Sequence, residues 1–349
     1  MLVAHPEGEL YKRASEGPDL VGLAPRSEID LASAWRLSRV IRDYRPNVVH
    51  AHDPHAVAMC ATALSFGAVT PCPPLVASRR VDFHLSRNSF SRWKYRQVTR
   101  FIAASGAIRD ILVHDGIPAA QVDVVHDGID VAKIQRLPAL DLHVEFWMPH
   151  GVPVVANVGA LVAHKGQRYL LEAVPMVMRD VPDVHLVILG EGDLRAALEK
   201  QVKDLHLEKT VRLPGFREDV LSLVKSADLF VMSSITEGLG SAVLDAMAMG
   251  KAVVGTRAGG IPEAVVHEGT GLLVPPADSR ALAAAITRLL SDAPLRAKYG
   301  EAGRKRVETH FGVDALVDST LAIYRRLVES PAAAGTRQDS VSRDPGATH

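Results

Sequence analysis

The chain has 349 residues, 47% of them apolar and 23% charged, and its 40 basic and 40 acidic side chains balance to a formal net charge of zero. That length suits two domains of roughly 150 residues each, and the neutral total gives no argument for a nucleic-acid partner. Two cysteines, Cys60 and Cys72, make neither a disulfide framework nor a Cys-x-x-Cys metal spacing, so a reducing cytoplasm is expected. No apolar run reaches the ~18 residues of a membrane span, and any membrane contact is expected to be peripheral, at the inner face.

The chain opens on Met1-Leu-Val-Ala-His5-Pro6, which reads as a strand. Leu37, Val40, Ile41 and Tyr44 then recur at i, i+3, i+4 and i+7, the spacing of one helix face. Val48-Val49-His50 reads as a strand followed by a helical stretch from His55, and His50-Ala-His52-Asp53-Pro54 ends that strand. Residues two apart on a strand share a face. His50 and His52 are therefore either a His-x-His metal pair, for which no third ligand is evident, or packed core imidazoles. Ser78-Arg79-Arg80-Val-Asp82-Phe83 follows another strand. Its two arginines suit an anionic acceptor or a diphosphate, or else a solvated loop. Between 87 and 100, Arg87, Arg92, Lys94, Arg96 and Arg100 interleave with Phe90, Trp93 and Tyr95. This is a basic aromatic helix candidate, either packing its rings on a sheet or lying on an anionic membrane.

Phe101-Ile102-Ala103-Ala104 reads as a strand and Ser105 as the opening of a helix. The alternation then breaks over 134–151, where Leu137-Pro138 and Met148-Pro149 bracket a segment without clear period, and a linker is expected there. Beyond it, 152–158, 184–189, 211–213, 229–232 and 252–254 read as buried strands separated by helix-spaced segments. Such alternation means βαβ units and parallel sheets. The expected fold is α/β, two Rossmann-like β/α/β domains facing across a cleft, with ligands at the carboxyl ends of the strands. The first domain is expected over 1–147 and the second over 148–312. A helix over 313–330 is expected to cross back to the first domain, and a tail over 331–349 to be disordered.

The most informative stretch is Ser234-Ile-Thr-Glu237-Gly238-Leu239-Gly240-Ser241-Ala-Val-Leu-Asp245-Ala-Met-Ala-Met-Gly250. A strand ends near Met232, a glycine loop follows, and a helix begins near Ser241. Glycine lets the backbone approach a ligand closely, and a helix start presents unpaired N–H groups and a positive dipole end. Together they make a phosphate cradle. Glu237 precedes the cradle, where a bound sugar diphosphate places its sugar, and Asp245 lies one turn into the helix, within reach of a ribose. The bland alternative is a tight strand-to-helix turn with a solvated Glu and a helix-surface Asp.

The spacing of Glu237 and Asp245 resembles the acidic pair of family 4 of the retaining glycosyltransferases, and the resemblance extends from His50 to about Phe311. Val158-Gly159-Ala-Leu-Val-Ala-His-Lys165-Gly166 resembles the family's glycine-then-lysine segment, in which the lysine contacts the donor diphosphate. Gly190-Glu-Gly192, Leu213-Pro-Gly215-Phe216-Arg217, Gly259-Gly260-Ile-Pro-Glu263 and Gly269-Thr-Gly271-Leu-Leu-Val stand in the family's order as well. The resemblance implies a GT-B fold and a retaining, metal-independent transfer from a nucleoside-diphosphate sugar, UDP ahead of GDP, with no further cofactor. The implied acceptor is a cell-surface polysaccharide, lipopolysaccharide or lipid-linked glycan. It assigns Glu237, His52 and Lys165 to the reacting centre. Gly159, Lys165, Gly190, Gly215, Phe216, Glu237, Gly238, Leu239, Gly240, Ser241 and Asp245 are assigned to the donor, and Arg79 and Arg80 to the acceptor side. A front-face route is implied, in which the leaving diphosphate takes the acceptor's proton and Glu237 fixes the sugar by its hydroxyls.

The chain departs from that pattern at Ala160, where the family carries an arginine, and at Asp245, where it carries the longer glutamate. Members of the family also begin with a strand, a glycine-rich loop and a helix ahead of the segment that opens here, so a start downstream of the true one is expected in preference to a degenerate copy. A catalytically inactive sugar-nucleotide-binding or scaffold protein of the same fold is the main alternative. A sugar-nucleotide epimerase is disfavoured by the position of Glu237, and an NAD dehydrogenase by the absence of an early Gly-x-Gly-x-x-Gly turn. No Asp-x-Asp pair occurs to suggest a metal-bound diphosphate.

Overall fold

The computed structural model describes residues 1–14, 17, 19–67 and 70–329, so the tail expected from 331 onward lies outside the described residues. Among these, the strands in chain order are β1 (Leu2–Ala4), β2 (Leu20–Gly22), β3 (Val49–Ala51), β4 (Leu75–Arg79), β5 (Arg100–Ala103) and β6 (Val122–Val124). They continue with β7 (Val154–Val158), β8 (His185–Leu189), β9 (Val211–Gly215), β10 (Leu229–Met232), β11 (Val253–Thr256) and β12 (Gly271–Val274). They form three sheets, of order β1-β2, β3-β4-β5-β6 and β12-β11-β10-β7-β8-β9. By internal packing the chain divides into two compact units. The first holds the described residues of 1–79, 85–102 and 321–329; the second holds 80–84 and 103–320.

The six-stranded sheet is parallel throughout. Its strands read as unbroken apolar runs because both faces are covered, and the period-two geometry of a strand sorts successive side chains between them. Ala156, Val187, Leu189, Phe230, Met232 and Val253 share one core with the helix Ser241–Ala248. Val155, Leu186, Ile188, Leu229, Val231 and Val254 share the other with the helices Gln167–Val177 and Ser279–Ser291.

In the first unit β3 and β4 are parallel, with His50 opposite Val76. The helix Leu31–Tyr44 is capped by Asp30, whose carboxylate accepts from the Ser33 amide, and buries Ser33, Ala34, Leu37, Ser38 and Ile41. The helix Pro54–Ser65 starts on the Asp53 cap with proline at its first position, where the missing N–H costs nothing.

The segment 134–151 is not a free linker. It forms the end of the helix Val131–Arg136 and the helix Leu142–Glu145, and Ile134, Leu142 and Met148 are buried in one core of the six-stranded sheet. Residues 103–147 accordingly pack with the second unit instead of the first. Three core anchors spaced irregularly leave no period to read. The last helix, Val313–Glu329, begins in the second unit and passes into the first at Leu321.

Candidate active site

Strands β7 and β10 lie side by side, with β8 and β9 on the far side of β7 and β11 and β12 on the far side of β10. The strand order reverses between them, and in open parallel sheets the crevice beyond the carboxyl ends at such a switch point takes the ligand. The loop after β7 carries Lys165 and the loop after β10 carries Glu237. The two loops are tied together, Ile235 N donating to His164 O at 2.7 Å and Ser233 Oγ to Lys165 O at 3.0 Å. Gly166 makes the approach possible. Its φ is +64°, and a Cβ there would lie 2.2 Å from Ser233 O.

Across this seam Lys165 Nζ meets Glu237 Oε2 at 2.6 Å, with the side chains 19% and 12% exposed. Ser234 Oγ donates to the same oxygen at 2.9 Å, and Thr256 Oγ1 anchors Ser234 through its carbonyl at 2.6 Å. Both recorded donors fall on Oε2, which leaves Oε1 with no partner among the described residues.

Gly240, at φ +85°, starts the helix Ser241–Ala248 without any side-chain cap. Among the described residues the amides of Gly240, Ser241 and Ala242 meet no acceptor. The carbonyls of the loop are turned the other way: Gly260 N donates to Glu237 O and Gly238 O, and Ser105 Oγ donates to Gly238 O at 2.7 Å. Gly259 sits so close behind that a Cβ would lie 1.7 Å from Glu237 O. Unpaired amides at a helix start form an anion site. One turn on, the Asp245 carboxylate has no hydrogen bond or ion pair to a described residue, and burial pushes it up to about 6.

The remaining carboxyl ends are drawn together by glycines. Gly159 N donates to Leu189 O and Gly190 N to Gly215 O, each at 3.0 Å. Gly190 runs so close to Gly159 O that a Cβ would lie 2.1 Å away. Phe216 follows β9 and is 71% exposed, while Arg217 is taken up by Glu145 at 2.6 Å and Asp219 at 2.7 Å. Ala160 is exposed, and its carbonyl accepts from Gln167 Nε2 at 2.9 Å.

Two family descriptions match the chain: "Glycosyltransferase Family 4" over residues 2–133 and "Glycosyl transferases group 1" over residues 144–306. The chain belongs to the family 4 glycosyltransferases of the GT-B fold. It is 35% identical over 176 residues to the lipopolysaccharide core biosynthesis glycosyltransferase LpsE of Rhizobium meliloti, an overlap of 50% of each chain. With the glycogen synthase of Mycobacterium tuberculosis it shares 29% identity over 81% of this chain and 69% of that one. The chain therefore spans half to about two thirds of these relatives' lengths. Among solved structures, HepE of Anabaena in complex with UDP and glucose superposes with a TM-score of 0.77 at 22% identity, over 92% of this chain and 91% of that one. A glycosyltransferase from Rickettsia africae gives 0.79 at 20% identity, over 93% and 89%.

In this family member the structure gathers Gly159, Lys165, Gly190, Gly215, Phe216, Glu237, Gly238, Leu239, Gly240, Ser241 and Asp245 at the carboxyl ends of one sheet. His52 and Arg79 belong to the first unit. His52 is exposed, its ring centroid 4.0 Å from that of His50. Both ring nitrogens of His50 are engaged, Nδ1 with the Tyr324 hydroxyl and Nε2 with Ser78 Oγ at 2.8 Å, which spends the nitrogens that a metal pair would need. Arg79 is buried at the end of β4, and Arg80, in the second unit, pairs with Asp127 at 2.6 Å. The basic aromatic stretch is helical only over Ser89–Arg96. Lys94 is turned inward onto Glu28 at 2.7 Å, beside the rings of Phe90 and Tyr95.

Three contributors stand in segments that carry the resemblance but have no role assigned to them from the sequence. Ser234 orients Glu237. Gly259-Gly260 hold the cradle from behind. Glu263 fills another helix start, its carboxylate accepting from Gly106 N at 2.9 Å and Ala107 N at 3.1 Å and meeting His126 Nε2 at 2.9 Å. Burial works to raise the Glu263 carboxyl, and these donors outweigh it and hold it below the usual range.

Proposed function

We propose that the protein is a retaining, metal-independent glycosyltransferase that moves a sugar from a nucleoside-diphosphate sugar to a cell-surface glycan or lipid-linked acceptor at the inner face of a membrane. A UDP-sugar is the preferred donor, a GDP-sugar the next. The observation that carries this reading is the Lys165–Glu237 pair set beside three unpaired helix-start amides at the switch point of the sheet. The UDP complex of Anabaena HepE, of the same fold, supports the choice of nucleotide.

As the bond from the anomeric carbon to the leaving diphosphate lengthens, negative charge grows on the diphosphate. The amides of Gly240, Ser241 and Ala242 and the Lys165 ammonium stabilise that charge from fixed positions, which is where catalytic advantage arises. Glu237 Oε1 accepts from a sugar hydroxyl and sets the ring's orientation. Asp245 receives the ribose, with Gly159, Gly190, Gly215 and Phe216 bounding the donor. The acceptor hydroxyl attacks on the face that the diphosphate leaves, and its proton passes to the departing phosphate oxygen. His52, by the family resemblance, meets the donor sugar, and Arg79 and Arg80 the acceptor.

A panel of UDP- and GDP-sugars assayed for transfer or hydrolysis, with and without EDTA, tests the reading. Activity should persist in EDTA. Lys165→Ala should lower turnover by ~10²-fold or more, with a melting loss of roughly 2–4 °C for about 1 kcal/mol as Glu237 loses its cation. A strict Mn²⁺ requirement, or full activity in Lys165→Ala, would overturn it. Ala160 favours a second reading, an inactive sugar-nucleotide-binding protein, because a cation expected at the diphosphate is missing. Donor binding without turnover in the same panel would select that reading.

A further inference from the structure

Three side chains meet the ring of His50 in the first unit. The hydroxyl of Tyr324 lies on Nδ1, and Ser78 Oγ lies 2.8 Å from Nε2. The Tyr324 ring also meets the His50 ring edge-on, with centroids 5.6 Å apart and planes 86° to each other. The third is His52, whose ring lies against that of His50, 4.0 Å between centroids and tilted by 32°. Tyr324 arrives on the helix Val313–Glu329, in the part that belongs to the first unit, next to the buried Ile323. Burial raises its phenol above the usual range, so the hydroxyl keeps its proton. Ser78 is buried on β4, the neighbour of β3.

An imidazole bonded at both ring nitrogens cannot turn about its Cβ–Cγ bond without giving up a hydrogen bond. His50 is therefore a fixed plate, held by the next strand on one side and by the last helix on the other. His52 is exposed just past the end of β3, where side chains ordinarily exchange rotamers within nanoseconds. Its backbone is set from behind, because Asp53 accepts from the amides of His55 and Ala56, both at 2.8 Å. Residues two apart on a strand share a face, so the His52 ring has the fixed plate to rest on. We propose that Tyr324 is a positioning residue for the transferase reaction: through the His50 ring it holds the His52 imidazole in its working orientation. The proposal rests on the reading that His52 meets the donor sugar. Docking the last helix would need only the Tyr324 contact. The second anchor, from Ser78 within the same sheet, does nothing for that helix and fixes the ring.

Proton spectra of the full chain, isotope-labelled at histidine, read the orientation without any ligand. The ring signals of His52, identified by their loss in His52→Ala, should lie upfield because the His50 ring faces them. In Tyr324→Phe, which keeps the aromatic ring and removes the hydroxyl, they should move toward free histidine. Ser78→Ala should move them the same way while leaving the last helix untouched. Both variants should turn over the most active member of the UDP- and GDP-sugar panel about tenfold more slowly or worse, as slight misplacement of a reacting group does. Donor KM and UDP affinity should stay within about twofold. Tyr324→Phe/His52→Ala should be no slower than His52→Ala alone, since both changes remove one interaction. Turnover is compared well below melting, so that the lost hydrogen bond does not enter as instability. Unmoved His52 signals beside a slow His52→Ala would overturn this inference alone and leave the donor-site reading intact. So would a loss confined to Tyr324→Phe, or losses that add in the double variant, either of which would mark the hydroxyl as a dock for the helix. Full turnover in His52→Ala, or no turnover on any member of the panel, would defeat the reading of His52 and the inference with it, whatever the spectra show.

Discussion

Two helices of this chain follow parallel strands and meet their first turn in opposite ways. After β3, Asp53 turns its carboxylate back onto the amides of His55 and Ala56, both at 2.8 Å, and Pro54 removes a further donor. After β10, Gly240 offers no side chain, and three amides stay open beside Lys165. The helix Gly106–His114 sides with the first case, because Ser105 caps it from within the chain and Glu263 fills it from 157 residues away. A helix start that the protein fills with its own carboxylate is a structural joint. One left open by glycine loses only a few tenths of a kcal/mol relative to a good cap and keeps its field for a ligand.

Filling the open start should break this contrast most severely. Gly240→Asp places a carboxylate where Asp53 has one, in a left-handed conformation that Asp tolerates better than most residues. UDP affinity measured by calorimetry should fall on the order of a hundredfold, about 2.7 kcal/mol. Melting should change little, because the new cap and the strain oppose each other. Undiminished UDP binding would place the diphosphate elsewhere.

A smaller effect should come from Asp245, whose folded carboxyl lies near 6 against an ordinary 3.8. A raised carboxyl stabilises the fold in its protonated form. That contribution is complete below pH about 4 and is lost as pH rises through about 6. Asp245→Asn stays neutral at every pH. The variant should therefore gain on the wild type across this window, by on the order of 1–3 kcal/mol at pH 7.5, and show no such gain at pH 3.5. Urea titrations at the two pH values measure it, and a pH-independent difference would mean that the carboxylate is solvated. Smallest is Asp53→Ala, expected to lower stability by about 1 kcal/mol as the loss of an ordinary cap, read as a shift in urea midpoint at constant slope.

The two helix starts also differ in how far each could be read from the chain. Glu237, Gly240 and Asp245 stand within one short run, and their roles follow from spacing along a loop and a single helix turn. Lys165 required a second motif 72 residues earlier, and its contact with Glu237 arises because β7 and β10 became neighbours. His50 and His52, at the end of β3, show the opposite limit. Their spacing left a metal pair and packed core imidazoles both open, and it is the fold that gives His50 to Tyr324 from 274 residues away and to Ser78 from the adjoining strand.

Local physics is written in the sequence directly. Alternating β-branched runs and helix-spaced segments announced parallel α/β layers, because backbone periodicity is set by nearest neighbours. The glycine positions announced the phosphate cradle, because a left-handed φ or a carbonyl closer than a Cβ allows is a demand on one residue. Strand order was decided only in the folded chain. It set the Lys165–Glu237 pair at the switch point, and it drew 103–147 into the second unit through the buried Ile134, Leu142 and Met148. The fate of each charge was decided there too. Lys94 turned inward to Glu28 while the arginines of the helix Leu31–Tyr44 turned out, since burial of a charge depends on a partner that sequence distance does not reveal.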